Sequence, residues 1–356
     1  MLTTILAIIF VLLVLVFFHE LGHFLAARSV GVRVERFYLG FNLFGLGIKK
    51  KIGDTEYGLG LFPLGGYVKM AGMLDESMDS KFTGEPWEFQ SKKSWEKIWV
   101  MSAGVLGNML LAVVLFTGIT LNRGLAESDP SAVIGSIVPD FPAVEAGFQE
   151  GDRIIAIDGI PVDSWEGLTA LIHTRPEAEL VIETIRDGEL IQRTVIPRST
   201  EALVDNEIKT VGMIGIGPKI VTRPAGIGEA VVAGFTLSWR WLILTYRSLA
   251  MIVTGKASFK EVGGPIMIAQ LAGESAQMGI TALLGLMAII SVNFAFINIL
   301  PIPAMDGGQI FVVLLEAILR RPLSLRARMA IQQVGMLLLL TLMAAVIYND
   351  IHRLIQ

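Results

Sequence analysis

The sequence contains no cysteine, only four histidines and few charged residues. Without cysteine the chain forms no disulfide bond and has no thiolate ligand, so only nitrogen and oxygen donors could hold a metal ion. Charged residues make up 17% of the 356 residues and the net charge is −4, which gives no indication of nucleic-acid binding. Hydrophobic residues make up 53% and the mean hydropathy is +0.62, values typical of a membrane protein.

Four apolar segments have the length of a membrane-spanning helix, roughly 20 residues. They lie at 3–27, 98–120, 281–300 and 331–349. We therefore expect a polytopic α-helical membrane protein with about four transmembrane helices. A signal peptide is the alternative for the first segment, but no lysine or arginine precedes it. A fifth stretch at 226–253 contains Arg240 and Arg247, so we interpret it as an amphipathic helix at the membrane surface, within an interfacial region at 224–280.

Basic residues are concentrated after the first predicted span, at 28–51, and after the third, at 320–328. Cytoplasmic loops collect lysine and arginine, so both regions are expected on the cytoplasmic side. This topology leaves both termini outside and requires that 226–253 does not cross the bilayer. We predict membrane parts at 1–122 and 281–356, with residues 123–223 as an insert on the outer side.

The insert has the pattern of a small α+β domain. "RIIAIDG" alternates like a strand, and "LVIETIRDGELIQRTVIP" predicts a hairpin around Asp187-Gly188. Between them, "SWEGLTALIHT" predicts a short helix capped by Ser164.

A glycine-rich segment at 51–70, "KIGDTEYGLGLFPLGGYVKM", is too short for a span and too apolar for an ordinary loop. We predict a β-hairpin that re-enters the bilayer from the cytoplasmic side. Its edge, at Gly58, Leu59 and Leu61, is predicted to bind substrate by β-strand addition.

The first predicted helix ends in "HELGH", which places His19, Glu20 and His23 in an apolar segment. Positions i and i+4 share one face of a helix, so both imidazoles can bind one cation. With Zn²⁺ bound there, Glu20 can take a proton from a metal-bound water. A structural His–Glu pair or a proton relay is the alternative interpretation.

A catalytic zinc ion takes three protein ligands, and in this chain the third must be histidine or carboxylate. His173 and His352 fall on the outer side in the predicted topology. Asp306, in "NILPIPAMDGGQI", follows the third span at its cytoplasmic end, at the depth of the histidine pair. We predict that Asp306 is the third ligand; the alternative is that it only forms a turn before two glycines.

Two asparagines, Asn293 and Asn298, lie in the same apolar segment as this motif. Amides in a bilayer need hydrogen-bond partners, so these side chains either bridge neighbouring helices or hold the backbone of a substrate.

The motifs "HELGH", "LFPLGGYVKM", "AGFQEGDRIIAIDG" and "NILPIPAMDGG" occur in this order over nearly the whole chain. In them the sequence resembles the site-2 protease family of intramembrane zinc proteases, most closely the bacterial regulator-of-sigma-E members. The resemblance implies that His19, His23 and Asp306 bind Zn²⁺, that Glu20 is the general base and that Asn298 contacts the substrate backbone. It also implies a membrane-reentrant β-hairpin and a PDZ-like insert, with room here for a single PDZ module.

The same resemblance implies a multi-pass protein of the bacterial inner membrane, with the PDZ-like domain in the periplasm and the active site near the cytoplasmic side. Its substrates would be single-pass membrane proteins, such as an anti-sigma factor or a signal-peptide remnant, already trimmed outside by a site-1-type protease. The lipid bilayer is the other expected partner. A non-catalytic PDZ scaffold with a degenerate metal site is the alternative; a proton-coupled transporter would predict internal repeats, which the sequence lacks.

Overall fold

The computed structural model describes residues 1–355 except 42–46, 74–82, 205–206 and 260–261. The chain forms two units. One comprises Met1–Asn122 with Gly226–Gln356, and the other comprises Arg123–Ala225. The first unit contains the long apolar helices, and the second is the insert domain.

The long apolar helices lie in the predicted segments. The helices are α1 (Leu2–Ser29), α2 (Ser94–Arg123), α3 (Pro142–Glu145), α4 (Trp165–His173), α5 (Ile227–Val253), α6 (Pro265–Met278), α7 (Ile280–Ile299), α8 (Asp306–Leu319) and α9 (Leu325–Ile355). By length and composition α1, α2, α5, α7 and most of α9 could cross a membrane, which is expected of a membrane protein.

Helix α5, for which we expected an interfacial position, meets the same length and hydropathy criterion as the predicted spans. The Thr245 hydroxyl in α5 donates a 2.6 Å hydrogen bond to Asn293 of α7. This part of α5 therefore packs against a helix of the apolar bundle.

Helices α1 and α2 pack backbone to backbone at two glycines. A Cβ atom on Gly22 would overlap the carbonyl of Ala103, and one on Gly107 would overlap the carbonyl of Phe18. Small residues permit this approach in membrane helices, and here they hold the HELGH turn directly against α2.

Helix α6 is anchored to α9 by a buried carboxylate. Asp350, which is 3% exposed, accepts hydrogen bonds from the backbone N–H groups of Gly264, Ile266 and Met267. These N–H groups lie at the start of α6 and have no partner within the helix, so Asp350 acts as its cap from a distant part of the chain.

A four-stranded sheet lies between α1 and α2 in the chain. Its strands are β1 (Val34–Phe41), β2 (Gly47–Ile52), β3 (Thr55–Gly60) and β4 (Phe62–Met70), in the order β2-β3-β1-β4. Strand β1 pairs in parallel with β3 and antiparallel with β4. Apolar residues of β1 and β4 pack on the C-terminal part of α1 and the start of α2, including Val34, Phe37, Met70, Phe24, Val100 and Met101.

The predicted hairpin at 51–70 is therefore wrong in its pairing. Strands β3 and β4 are consecutive in sequence, but β1 lies between them. Gly58 and Leu59 belong to an internal strand whose hydrogen bonds are shared between β1 and β2, and Leu61 follows that strand. Among the described residues the edges of this sheet are β2 and β4, so Gly58, Leu59 and Leu61 do not lie on an edge strand.

The insert contains short strands around two helices. The strands are β5 (Leu125–Ser128), β6 (Ile134–Ile137), β7 (Arg153–Ile157), β8 (Ile160–Pro161), β9 (Leu180–Arg186), β10 (Glu189–Val195), β11 (Arg198–Val204), β12 (Glu207–Met213), β13 (Ile216–Pro218) and β14 (Ile220–Arg223). The hairpin around Asp187-Gly188 is confirmed, since β9 and β10 pair antiparallel and both turn residues have positive φ. The Ser164 cap is also confirmed, because its hydroxyl accepts the N–H of Gly167 at 3.1 Å.

A buried ion pair supports the insert. The Asp152 side chain is fully buried and accepts hydrogen bonds from Arg186 Nε at 2.6 Å and Nη2 at 2.8 Å. Burial alone would raise the pKa of Asp152, but the hydrogen bonds from Arg186 outweigh it and the pKa is lowered.

Candidate metal centre

The HELGH turn and the start of α8 meet at one point. His19 and His23 lie one turn apart in α1, both buried, with their Nε2 atoms 3.2 Å apart. Asp306 is the first residue of α8, and its Oδ2 atom lies 3.3 Å from each Nε2. The structure thus brings together the three side chains that the sequence suggested as ligands.

The three donor atoms have the spacing that a metal ion requires. A tetrahedral zinc ion bonded at about 2.0–2.1 Å separates its ligand atoms by roughly 3.3–3.4 Å. The observed separations are 3.2 Å between the two Nε2 atoms and 3.3 Å from each to Asp306 Oδ2. Asp306 Oδ2 is also buried without a hydrogen-bond partner among the described residues. A bound cation would give this buried oxygen atom a partner, so the three residues fit a Zn²⁺ ion.

A backbone carbonyl orients the second histidine. His23 Nδ1 lies 2.8 Å from the carbonyl oxygen of Val100 in α2, so Nδ1–H donates to it. The lone pair is then on Nε2, the atom that faces Asp306. Metal-binding histidines commonly use their other ring nitrogen in this way.

An asparagine orients the first histidine. The amide of Asn108 in α2 lies 3.2 Å from His19 Nδ1, and Asn108 Oδ1 is buried without a partner among the described residues. With the amide turned by 180°, Oδ1 accepts the Nδ1–H proton and His19 Nε2 carries the lone pair. Asn108 was not among the predicted site residues, although a polar amide in an apolar span is a signal that marks it.

A glycine makes room for both imidazoles. Gly104 lies in α2 between Val100 and Asn108 at intervals of four residues, on the face turned toward α1. A Cβ atom on Gly104 would lie 2.7 Å from His19 Cε1 and 2.8 Å from His23 Cε1. At successive turns, this face of α2 supplies the carbonyl of Val100 as an acceptor, the space at Gly104 and the amide of Asn108.

The tight turn before α8 places Asp306. Helix α7 ends at Ile299, Ala304 has a φ of 78°, and α8 begins at Asp306. A Cβ on Gly307 or Gly308 would overlap backbone carbonyls of residues 299, 300 and 302. Asp306 therefore starts a helix after a turn, as the turn-forming interpretation expected, and its carboxylate also reaches the histidines.

The three donors lie in a cavity of about 420 Å³. Glu20 lines it and accepts a hydrogen bond from the backbone of Val68 in β4. Asn298 lines it as well, 7% exposed, with Nδ2 unpartnered among the described residues. Further lining residues include Arg36, Gly66, Tyr67, Lys69, Met70, Met101, Gln309 and Gln332.

The other predicted substrate residues lie outside this lining. Asn293 binds Thr245, which is the helix-bridging alternative. Gly58, Leu59 and Leu61, predicted as the substrate-binding edge of the hairpin, do not line the cavity, whereas residues 66–70 of β4 do. The sequence signal for β4 is the glycine pair in "LFPLGGYVKM". Gly66 packs so closely on Val16, Tyr38 and Glu20 that it has space only for a hydrogen atom in place of a side chain.

Residues 7–342 match the model of Peptidase family M50. A protein of Clostridium perfringens is 35% identical, with 97% of this chain and 98% of the relative covered. A Rhizobium meliloti protein is 34% identical, covering 98% and 96%, and a Campylobacter jejuni protein is 33% identical, covering 98% and 94%. All three carry the name "Putative zinc metalloprotease".

Among solved structures, the PDZ domain of an SdrC-like protein from Listeria monocytogenes is 22% identical to part of this chain. It covers 26% of this chain and 90% of that domain, with a TM-score of 0.21. A score of this size does not define the fold of the insert, which rests on its own strands and helices.

Proposed function

Since this chain belongs to peptidase family M50, the site-2 protease family, and is a zinc metalloprotease, we propose that it hydrolyses peptide bonds within or near the transmembrane segments of single-pass membrane proteins. The observation that carries the proposal is the convergence of His19, His23 and Asp306 inside an apolar bundle.

In the proposed reaction His19, His23 and Asp306 hold the metal. A bound Zn²⁺ supplies Lewis acidity and lowers the pKa of a coordinated water toward neutrality. Glu20 follows His19 in the helix and lines the same cavity, so it is placed to accept the proton of the attacking water and return it to the leaving amine. The backbone N–H of Val68 in β4 donates to the carboxylate and helps to hold it in the cavity.

A peptide bond in a transmembrane helix is protected because its carbonyl is hydrogen-bonded within the helix. Cleavage therefore needs local unwinding and new partners for the released backbone groups. Strand β4 is an edge of the sheet and lines the cavity, so an unwound substrate can add to it as a further strand. Asn298 Nδ2 has no hydrogen-bond partner in the part of the chain that the structure describes, so it is placed to donate to a substrate carbonyl.

We place the protein in the bacterial inner membrane, with the cavity near the cytoplasmic side and the insert in the periplasm. The basis is the lysine and arginine content of the regions that follow α1 and α8. Because His19 and Asp306 meet, the HELGH turn of α1 and the start of α8 would lie at the same depth in the membrane.

We propose that the substrates are anti-sigma factors or signal-peptide remnants that a site-1-type protease has already shortened. The insert would then act as a single PDZ-like filter, either by binding a new C-terminus or by excluding large ectodomains. A non-catalytic scaffold is disfavoured, since a degenerate site would not retain three donors at tetrahedral spacing together with a base.

The substitution Glu20→Gln tests the proposal. It should leave zinc bound, because Glu20 is not among the three donors, and slow cleavage of a membrane-embedded reporter by about 10²–10⁴-fold. Glu166→Gln is the matched control, the same change at an exposed position of α4. Cleavage that persists in Glu20→Gln would remove Glu20 from its role. A wild-type protein that holds zinc but never cuts would favour the scaffold.

A further inference from the structure

A second cavity, of about 590 Å³, lies at the C-terminal end of α1 and shares no lining residue with the cavity of the metal centre. It is formed by the end of α1, the turn between β2 and β3, and the segment before α2. A Cβ atom on Gly31 of its wall would lie 3.5 Å from Lys92 Nζ, so a lysine borders it as well. We call it the basic cavity; its wall includes Arg28, Gly31, Arg33, Asp54 and Trp87.

The positive charge of the basic cavity is only partly compensated. Asp54 is the one carboxylate that lines it in the described part of the chain, and Asp54 Oδ1 accepts a 2.8 Å hydrogen bond from Arg33 Nη2. The Arg28 guanidinium lies 5.4 Å from the centre of the Phe24 ring and, like Lys92, forms no ion pair with any described residue. An anion in the cavity would therefore meet two cations that no described carboxylate neutralises.

Tryptophan side chains indicate that the basic cavity lies at a membrane surface. Trp87 lines the cavity and is 43% exposed. Trp99, 44% exposed, donates a 3.2 Å hydrogen bond from Nε1 to Ser29 Oγ at the end of α1. Tryptophan is enriched where a bilayer meets water, and lysine and arginine are enriched on the cytoplasmic side. In the orientation proposed above, this is the cytoplasmic surface.

An apolar surface continues from the end of α1 along α2. Trp99, Leu106, Leu110 and Val114 share one face of α2 and are 44–60% exposed. On a membrane-spanning helix such a face contacts lipid acyl chains, which are as apolar as leucine. A ligand with an anionic head and an apolar tail therefore fits this part of the protein better than a soluble anion does.

We propose that the basic cavity binds the phosphate group of an anionic phospholipid from the cytoplasmic leaflet, with its acyl chains along the exposed face of α2. Basic pockets on the cytoplasmic side of membrane proteins are suited to such headgroups. Arg28 can hold two phosphate oxygens with its guanidinium, and Lys92 adds a point charge. A zwitterionic phospholipid carries a choline cation that offsets this attraction. The inference rests on the proposed orientation and not on the protease reaction.

Native mass spectrometry of the full chain tests the proposal. The protein is reconstituted in nanodiscs with equal amounts of phosphatidylglycerol and phosphatidylcholine and released in mild detergent, and the retained lipids are counted. One phosphatidylglycerol molecule should stay bound per chain. Each lysine or arginine near the membrane surface contributes about fivefold to the binding of an anionic lipid, so two cations should give a preference of about 25-fold over phosphatidylcholine.

The double variant Arg28→Gln/Lys92→Gln should bring this preference close to one. The control Lys50→Gln/Lys51→Gln removes the same charge from exposed residues of β2, outside the cavity wall, and should keep the wild-type preference. Asp54→Asn removes the carboxylate of the cavity and should raise the preference by about a further fivefold, a gain that misfolding does not produce.

Equal retention of the two lipids by the wild type would overturn the inference. An equal loss of preference in the β2 control would overturn it too, because the effect would then come from overall charge. Excess inorganic phosphate at constant ionic strength should leave the bound phosphatidylglycerol in place; its displacement would assign the cavity to a soluble anion and contradict the lipid. These measurements do not use cleavage of a reporter, so their failure leaves the proposed function standing.

Discussion

Substitution of Gly104 by alanine should damage the metal centre although Gly104 binds no metal. The added methyl group would lie 2.7 Å from His19 Cε1 and 2.8 Å from His23 Cε1, and closer still to His23 Nε2. Carbon atoms in contact are separated by about 3.5 Å, so each ring must withdraw by at least roughly 0.7–0.8 Å. The two rings cannot withdraw independently, because their other nitrogens contact Val100 and Asn108.

The magnitude follows from that displacement. Loss of the contacts that orient metal ligands commonly costs 10–100-fold in metal affinity. A misplacement of about 1 Å in a catalytic group can cost on the order of 10²-fold in rate. We expect Gly104→Ala to weaken zinc binding by about 10–100-fold and to slow cleavage by a similar factor at saturating zinc.

Competition with a chromophoric chelator measures the zinc affinity, and reporter cleavage measures the rate. Gly118→Ala is the matched control: it lies in the same helix, and nothing lies within 4 Å of its added Cβ. Because alanine favours helix over glycine, the control should be neutral or slightly stabilising. If Gly104→Ala bound zinc as tightly as the control, the close packing of α1 on α2 would not support the metal centre.

Two further predictions concern β4 and the insert. Gly66→Ala should lower kcat by about tenfold and leave the zinc content unchanged. The added Cβ would lie 3.3 Å from Glu20 Cγ and 2.7 Å from Val16, and so would displace the Glu20 side chain. A variant that retains the wild-type kcat would argue against this contact. Asp152→Asn should destabilise the insert by about 3 kcal/mol, measured in the full chain by hydrogen exchange, because Arg186 loses its buried partner. The pKa of Asp152 is lowered on folding, so wild-type stability should be retained at neutral pH and lost as pH falls below about 4, a loss that Asp152→Asn should not show.

The donor set could be predicted from the sequence because its signals are local. The i, i+4 spacing of His19 and His23 is a property of one helix, and lysine and arginine counts placed Asp306 at the same depth. The contacts that orient the imidazoles come from α2, 77 and 89 residues further along the chain, and depend on how two helices cross. A single sequence has no local signal for that crossing.

The sheet shows a second limit of local patterns. The segment 51–70 predicts one hairpin because it is rich in glycine, too short for a span and too apolar for an ordinary loop. Strand β1, which separates β3 from β4, lies upstream and pairs in parallel with β3. Adjacency in the chain predicts a hairpin, whereas a parallel pairing depends on a longer connection that propensity does not encode. The same segment nevertheless contained β4, the strand that lines the cavity.

The zinc content of the purified protein, with and without the Asp306 carboxylate, tests the metal centre most directly. The wild type and an exposed-site control, Asp163→Ala, should each contain about one zinc ion per chain, and Asp306→Ala should lose it together with cleavage of the reporter. If Asp306→Ala retained zinc with wild-type affinity, that result would contradict a single metal ion that joins α1 to the start of α8.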